Sequence, residues 1–176
     1  MYFNKVLKFT TLILIIFYSN ISLSSESIYY VDMDIIMNNS LAGKSIKKQL
    51  IEKNKINNSN FKKIEEKLKS TEAKLISQKN VLNDVEYKKN ILLFQKKVSD
   101  YEKERSNAFN NTAKMKNNAQ ISLINTLTTI LSEYAKKNSI SYIIPKKSII
   151  IGQSDLNLTN IILDILDSKI KNIKLK

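Results

Sequence analysis

The sequence predicts an α+β protein in which a small β-rich body carries a long antiparallel helical (coiled-coil) hairpin. Three observations predict it. No glycine or proline lies between Gly43 and Pro145, so nothing there punctuates a helix. Apolar residues recur through that stretch at steps of three and four, the helical period. Short β-branched and aromatic runs flank it at 28–33 and 140–151, and such runs read as strands.

Residues 1–24 read as a secretory signal peptide. Lys5 and Lys8 precede an apolar run over 9–18, and Ser22 and Ser24 suit the small positions before a cleavage site. The run is shorter than the ~20 residues a bilayer span needs, which favours cleavage over an uncleaved anchor. The mature chain then begins near Glu26 and works outside the cytoplasm.

Residues 25–43 form the first part of the body. Ile28 to Met33 is a strand, Asp34 caps a brief helix over 35–39, and Ser40 to Lys44 carries Gly43 and turns the chain. Residues 44–138 form the arm, with roots packed on the body. Phe61, Leu68, Leu75 and Leu82 recur every seven residues, with Ile64, Thr71, Gln78 and Val85 in the companion slots. A second seam runs Ile91, Phe94, Val98, Tyr101, Arg105, Ala108, Thr112, Met115, Ala119. Both are a/d seams with polar members. The second merges into a broader face of Ile121, Ile124, Leu127, Leu131 and Tyr134 that suits a globular core. One unbroken helix would be roughly 140 Å long and could bury its seam only against another chain. A reversal near 80–90, where Asn80, Asn83, Asp84 and Asn90 cluster, lets the two seams bury each other. A parallel coiled coil between chains would also satisfy the pattern. Arg105, Ala108 and Thr112 make the weakest part of the second seam and predict local flexing.

Residues 139–176 complete the body. Strands over 140–144 and 148–151 are separated by Pro145 and Lys146, a turn covers 155–157, and Thr159 caps a helix over 160–168. That helix buries Ile161, Ile162, Ile165 and Leu166, and a lysine-bearing tail follows. Sheets this small rarely stand alone, so oligomerisation through Ile28, Tyr29, Tyr30, Val31, Tyr142, Ile144, Ile149 and Ile151 is the natural remedy.

Composition narrows function to binding rather than catalysis. The chain has 29 basic and 16 acidic residues, no Cys, His or Trp, and two glycines. Without Cys there is no disulfide or thiolate metal site. Without His the usual neutral-pH acid–base is missing, and a phosphate-cradling loop needs more glycine. No catalytic residue, metal site or cofactor is predicted. Asp32 and Asp34 could form an acid–base pair, but turn formation and capping explain them better. Tyr29, Tyr30 and Tyr142 could stack a ligand, but packing in the body explains them better.

The segments "IYYVDMDIIMNNSLAGKSIKKQL" and "SISYIIPKKSIIIGQSDLNLTNIILDIL", the hairpin between them and the signal peptide together resemble the OmpH/Skp family of periplasmic chaperones. Relatives often carry proline before the Ala-Gly-Lys triplet, where this chain has Leu41. The resemblance implies a homotrimer whose bodies join their strands and whose hairpins surround a cavity. It implies an ATP-independent holdase for unfolded outer-membrane proteins in the periplasm. Contact with anionic lipid or lipopolysaccharide surfaces is left open. The arm cations Lys62, Lys63, Lys67, Lys69, Lys74, Lys88, Lys89, Lys96, Lys97 and Arg105 are the candidate client contacts, since a positive cavity attracts acidic chains. An ordinary solvated surface would look similar. Specific nucleic-acid binding fits poorly, because Arg105 is the only arginine and no reading motif is present. A structural or adaptor hairpin of the envelope is the alternative.

Overall fold

The structure is a computed structural model that describes residues 27–176. The signal-peptide reading of residues 1–24 lies outside the described residues. Strand β1 (Ile28–Val31) leads into helix α1 (Met33–Asn39), then into two long helices, α2 (Leu41–Gln78) and α3 (Asp84–Lys137). Strand β2 (Tyr142–Pro145), 3-10 turns at Lys146–Ser148 and Ser154–Leu156, and helix α4 (Thr159–Lys169) complete the chain. Among the described residues no helix is long and apolar enough to cross a membrane.

The entry to α1 differs from the sequence expectation. The strand stops at Val31, and Asp32 rather than Asp34 caps the helix, its carboxylate accepting from the Ile35 N–H at 3.1 Å. Asp32 is the first residue past the strand and keeps extended backbone (φ −87°, ψ 97°), as an N-cap does. Ser40 ends α1 and caps α2, accepting from the Gly43 N–H at 3.1 Å. Gly43 is needed for close approach, not for a turn: a Cβ there would lie 1.9 Å from the Met37 carbonyl oxygen.

The chain reverses at residues 79–83, at the near edge of the interval the sequence marks, with Asn83 capping α3 through the Glu86 N–H at 2.9 Å. The two long helices touch each other. Phe61 meets the Tyr101 ring edge-on, with centroids 6.0 Å apart, and the Tyr101 hydroxyl donates to the Glu65 carboxylate. The helices are unequal, at 38 and 54 residues, or roughly 57 and 81 Å. Counting outward from the Phe61–Tyr101 contact, Leu41 is level with about residue 121 at equal rise per residue. The last turns of α3 therefore run on into the body.

There α3 forms a wall of the core. Ala119, Leu123, Leu127 and Ile130 are buried together with Val31, Ile36, Ala42, Ile46, Leu158, Ile162, Leu166 and Ile173. The face is rotated from the expected one: Leu127 is buried, but Ile121 and Ile124 are exposed. The α1–α2 corner and α4 approach from the side of Leu123 and Ile130, and leave Ile121 and Ile124 facing out. On α4, Ile162 and Leu166 are buried as expected, whereas Ile161 is exposed.

α3 ends in a left-handed cap. Ser139 has φ 53°, and the Ile140 N–H reaches the Ala135 carbonyl at 2.9 Å, the bond of a Schellman motif made without glycine. Strands β1 and β2 then pair in parallel, Ile28 with Tyr142 through Val31 with Pro145. A parallel pair needs a long crossover, and both long helices supply it. The other edge of β1 is taken by Asn157 and by the Leu158 N–H, which donates to the Tyr30 carbonyl at 2.9 Å. The expected second strand over 148–151 is absent. Residues 146–148 turn instead, and Ile150 and Ile151 stand almost fully exposed. Pro145 has no N–H to extend the ladder, and the turn at Lys146–Ser148 leads residues 149–151 away without pairing to β2.

Thr159 ties the ends of the chain together rather than capping α4. Its hydroxyl accepts from the Asp32 N–H at 2.8 Å and donates to Asn157 Oδ1 at 2.5 Å. It is 2% exposed.

Candidate binding surface

The arm surface begins with what its seam hides. Phe61, Ile64, Leu68 and Thr71 on α2 are half-buried and Leu75 is buried. On α3, Ile91, Phe94, Val98, Tyr101, Ala108, Thr112 and Met115 are half-buried and Ala119 is buried. The heptad reading therefore locates the contact face. Three members depart from it. Gln78 and Val85 are exposed, because α2 ends at Gln78 and α3 begins at Asp84, so neither has a helix opposite; the third is Arg105. Lys53 and Asn57 continue the α2 seam toward the body as half-buried polar residues.

Arg105 is exposed rather than inside the seam. Its guanidinium lies 3.7 Å from Glu65 and 3.4 Å from the Tyr101 hydroxyl. The hydrogen bond to Glu65 is the leading cause that raises the Tyr101 hydroxyl pKa above its ordinary value. Phe61, Glu65, Tyr101 and Arg105 thus form one cross-helix clasp, and Arg105 is engaged in it.

The nine candidate lysines, Lys62, Lys63, Lys67, Lys69, Lys74, Lys88, Lys89, Lys96 and Lys97, are all exposed. Among the described residues the ion pairs are Arg105–Glu65, Lys146–Asp32 and Lys169–Glu133, so none of the nine is paired with a carboxylate. They do not share one side. At 3.6 residues per turn, Lys62 and Lys69 share one flank of α2 and Lys63, Lys67 and Lys74 the other. Lys89 and Lys96 share a side of α3 that Lys88 does not.

Exposed apolar side chains stand among these charges: Ile51, Ile56, Ile76, Val81, Leu92, Leu93 and Phe109. Reading the seams alone misses them. The signal was present in the sequence, as apolar residues at positions the heptad assigns to solvent. A long arm with wet cations and scattered apolar contacts can make many weak, geometrically undemanding interactions.

The strand residues divide. Val31 and Tyr30 lie in this chain's own interior, Tyr29, Ile144 and Ile149 are half-buried, and Ile28, Tyr142 and Ile151 are exposed. The sheet brings 28–31 beside 142–145 and does not include Ile149 or Ile151. Gly152 folds over Tyr30, where a Cβ would meet the ring at 3.2 Å.

Asp32 and Asp34 do not form an acid–base pair. Asp32 caps α1 and lies 3.4 Å from Lys146, while Asp34 is exposed. The Ile35 N–H is the leading cause that holds the Asp32 carboxyl below the usual range, with Lys146 adding to it and partial desolvation opposing it. Among the described residues no group of three acidic, His or Cys side chains could hold a metal ion.

A search of curated sequences finds no match. Among solved structures, the chain is similar to a protein from Caulobacter crescentus CB15 described provisionally as an outer membrane chaperone (OmpH-like). The TM-score is 0.80 at 13% identity, over 86% of this chain and 89% of that one. At that identity the likeness speaks for the fold. The family model described as Outer membrane protein (OmpH-like) matches residues 27–166, nearly all of the body and both long helices. The chain belongs to the OmpH-like family.

Proposed function

We propose that the protein is an ATP-independent periplasmic holdase that binds unfolded outer-membrane proteins between the arms of a homotrimer. The observation that carries this reading is the arm surface, where nine exposed lysines without carboxylate partners alternate with exposed apolar side chains. Membership of a chaperone family supports a binding role rather than a catalytic one.

Three copies join through their bodies. Supporting this, the two-stranded sheet is too small to stand alone, and Ile28, Tyr142, Ile150 and Ile151 lie exposed on or next to it. A neighbouring subunit supplies the strand that residues 149–151 lack. The three hairpins, each a coiled-coil arm, then enclose a cavity. Trimerisation also explains why lysines occupy both flanks of each arm, since each arm has two neighbours and presents different sides to the cavity.

Holding works by accumulation. Unpaired lysines draw in an acidic unfolded chain over about a Debye length, ~10 Å at ordinary salt. Lysine stems and the exposed Ile, Leu and Phe side chains then make apolar contacts. No single contact fixes a geometry, so many sequences fit and none is forced to fold. Release needs no nucleotide.

The test adds the mature protein to a porin diluted from urea and follows light scattering. Suppression at about one trimer per porin, weakening with added salt as screening requires, is the expected result. Full aggregation at excess trimer overturns the reading and favours an adaptor hairpin.

A further inference from the structure

The tail beyond α4 lies outside the family match, which ends at residue 166, yet it is seated on the root of α2. Ile173 is 7% exposed and belongs to the same buried cluster as Ile46 and Ala119, and Ile170 and Leu175 pack against that cluster. Exposure alternates from 173 to 176: buried, exposed, half-buried, exposed. That is the period of an extended strand.

The backbone is read by one side chain. The Gln49 amide donates to the Ile173 carbonyl at 2.7 Å, and its oxygen accepts from the Leu175 N–H at 3.2 Å. In an extended chain the carbonyl of one residue and the N–H two residues on point to the same side, so a primary amide can pair with both. Gln49 Nε2 also approaches Asn172 Oδ1 at 3.3 Å, and the Ser45 hydroxyl donates to that oxygen at 2.7 Å. The second hydrogen of the Gln49 amide goes to the Ser45 hydroxyl at 3.1 Å, which orients the side chain. The root of α2 is therefore built to grip an extended peptide by its backbone and by alternate apolar side chains. The intervening residues, Lys174 and Lys176, face solvent unread.

We infer that this α2-root surface, the groove that the tail fills, is a peptide-binding site of the chaperone and that the tail is its resident, displaceable occupant. The partner is an extended segment with apolar side chains at every second position, which is the pattern of a membrane β-strand. Backbone gripping with alternate pockets is the chemistry of β-strand recognition and tolerates many sequences. The inference rests on the holdase reading for the identity of its partner. The tail keeps the groove covered while no client is present, and client segments exchange with it.

The test uses a labelled peptide with the sequence of residues 170–176 and a chain ending at Lys169, its fold checked by circular dichroism. The shortened chain should bind the peptide saturably, and the full chain at least tenfold more weakly. A peptide carrying Ile173→Asp and Leu175→Asp should not bind, and a urea-diluted porin should compete. Equal peptide binding by the full and shortened chains overturns the inference, as does none by a folded shortened chain. If the shortened chain fails to fold, full-length Lys176→Cys decides, because the protein has no other cysteine to take the label. Label anisotropy should fall when porin saturates the trimer, and Gln49→Ala should lower it without porin. Unchanged anisotropy at saturation overturns the inference. Porin held without tail release leaves the holdase reading intact and removes this one. Peptide bound without protection of porin does the reverse.

Discussion

The same two helices live in different worlds at their two ends. In the body, Ala42, Ile46, Ala119, Leu123, Leu127 and Ile130 belong to a dry core closed by α1, α4 and the tail. Along the arm, α2 and α3 have only each other, and between residues 47 and 118 Leu75 alone is buried. Two helices in contact hide one stripe each, and the rest of each surface is left to water. The difference teaches that buried packing and exposed surface are separated along the chain. The body holds nearly all of the buried apolar side chains, and the arm leaves most of its surface accessible. That division suits the proposed holdase, which would keep its shape while holding clients that have none.

The largest expected effect comes from cutting into the body. Leu123 is fully buried, so Leu123→Ala should cost about 3 kcal/mol through lost transfer energy and the cavity left behind. Urea denaturation should show the whole chain losing stability. Leu75→Ala should cost about 2 kcal/mol at most, the lower end of the same range, and hydrogen exchange should show the loss confined to the turn-proximal arm. If the two substitutions cost the same and loosen the same amides, body and arm are one cooperative unit and the comparison fails.

A third substitution probes the joint between the regions. In an exposed helix, glycine to alanine gains up to about 1 kcal/mol. Gly43→Ala should instead cost about 2 kcal/mol, because the new methyl would sit 1.9 Å from the Met37 carbonyl oxygen and push α1 away. A gain in melting temperature would show that α1 yields freely.

The smallest effect is electrostatic. The Asp32 carboxyl is held below its ordinary value chiefly by the Ile35 N–H. A carboxyl lowered on folding contributes stability that is fully present above the unfolded value, about 3.9. That contribution is lost as pH falls through the lowered folded value. Asp32→Asn should therefore flatten the acid limb of the stability curve and leave the slope above pH 5 unchanged.

Much of this comparison was legible in the sequence. The absence of glycine and proline and the heptads from Phe61 to Leu75 and from Ile91 to Ala119 gave the arm, its contact face and its reversal within a few residues. The body was less legible because its elements depend on contacts between distant segments. Apolar periodicity suggests that Ile121 and Ile124 are inside, but which flank of α3 is covered depends on α4, nearly forty residues later. The run at 148–151 has strand propensity, but the turn at Lys146–Ser148 leaves it unpaired. The sequence marks the tail only as lysine-bearing, since alternation over four residues is a faint signal. The grip of Gln49 cannot be read from sequence at all. At the candidate surface, the lysines were visible as residues, but the engagement of Arg105 with Glu65 and Tyr101 emerged only from the packing.

Native-state hydrogen exchange tests the division between body and arm most directly. Amides of 121–131 should exchange only through global unfolding, and those of 105–112, where Arg105, Ala108 and Thr112 line the arm, about 100-fold faster through local opening. Equal protection in the two segments would contradict the account.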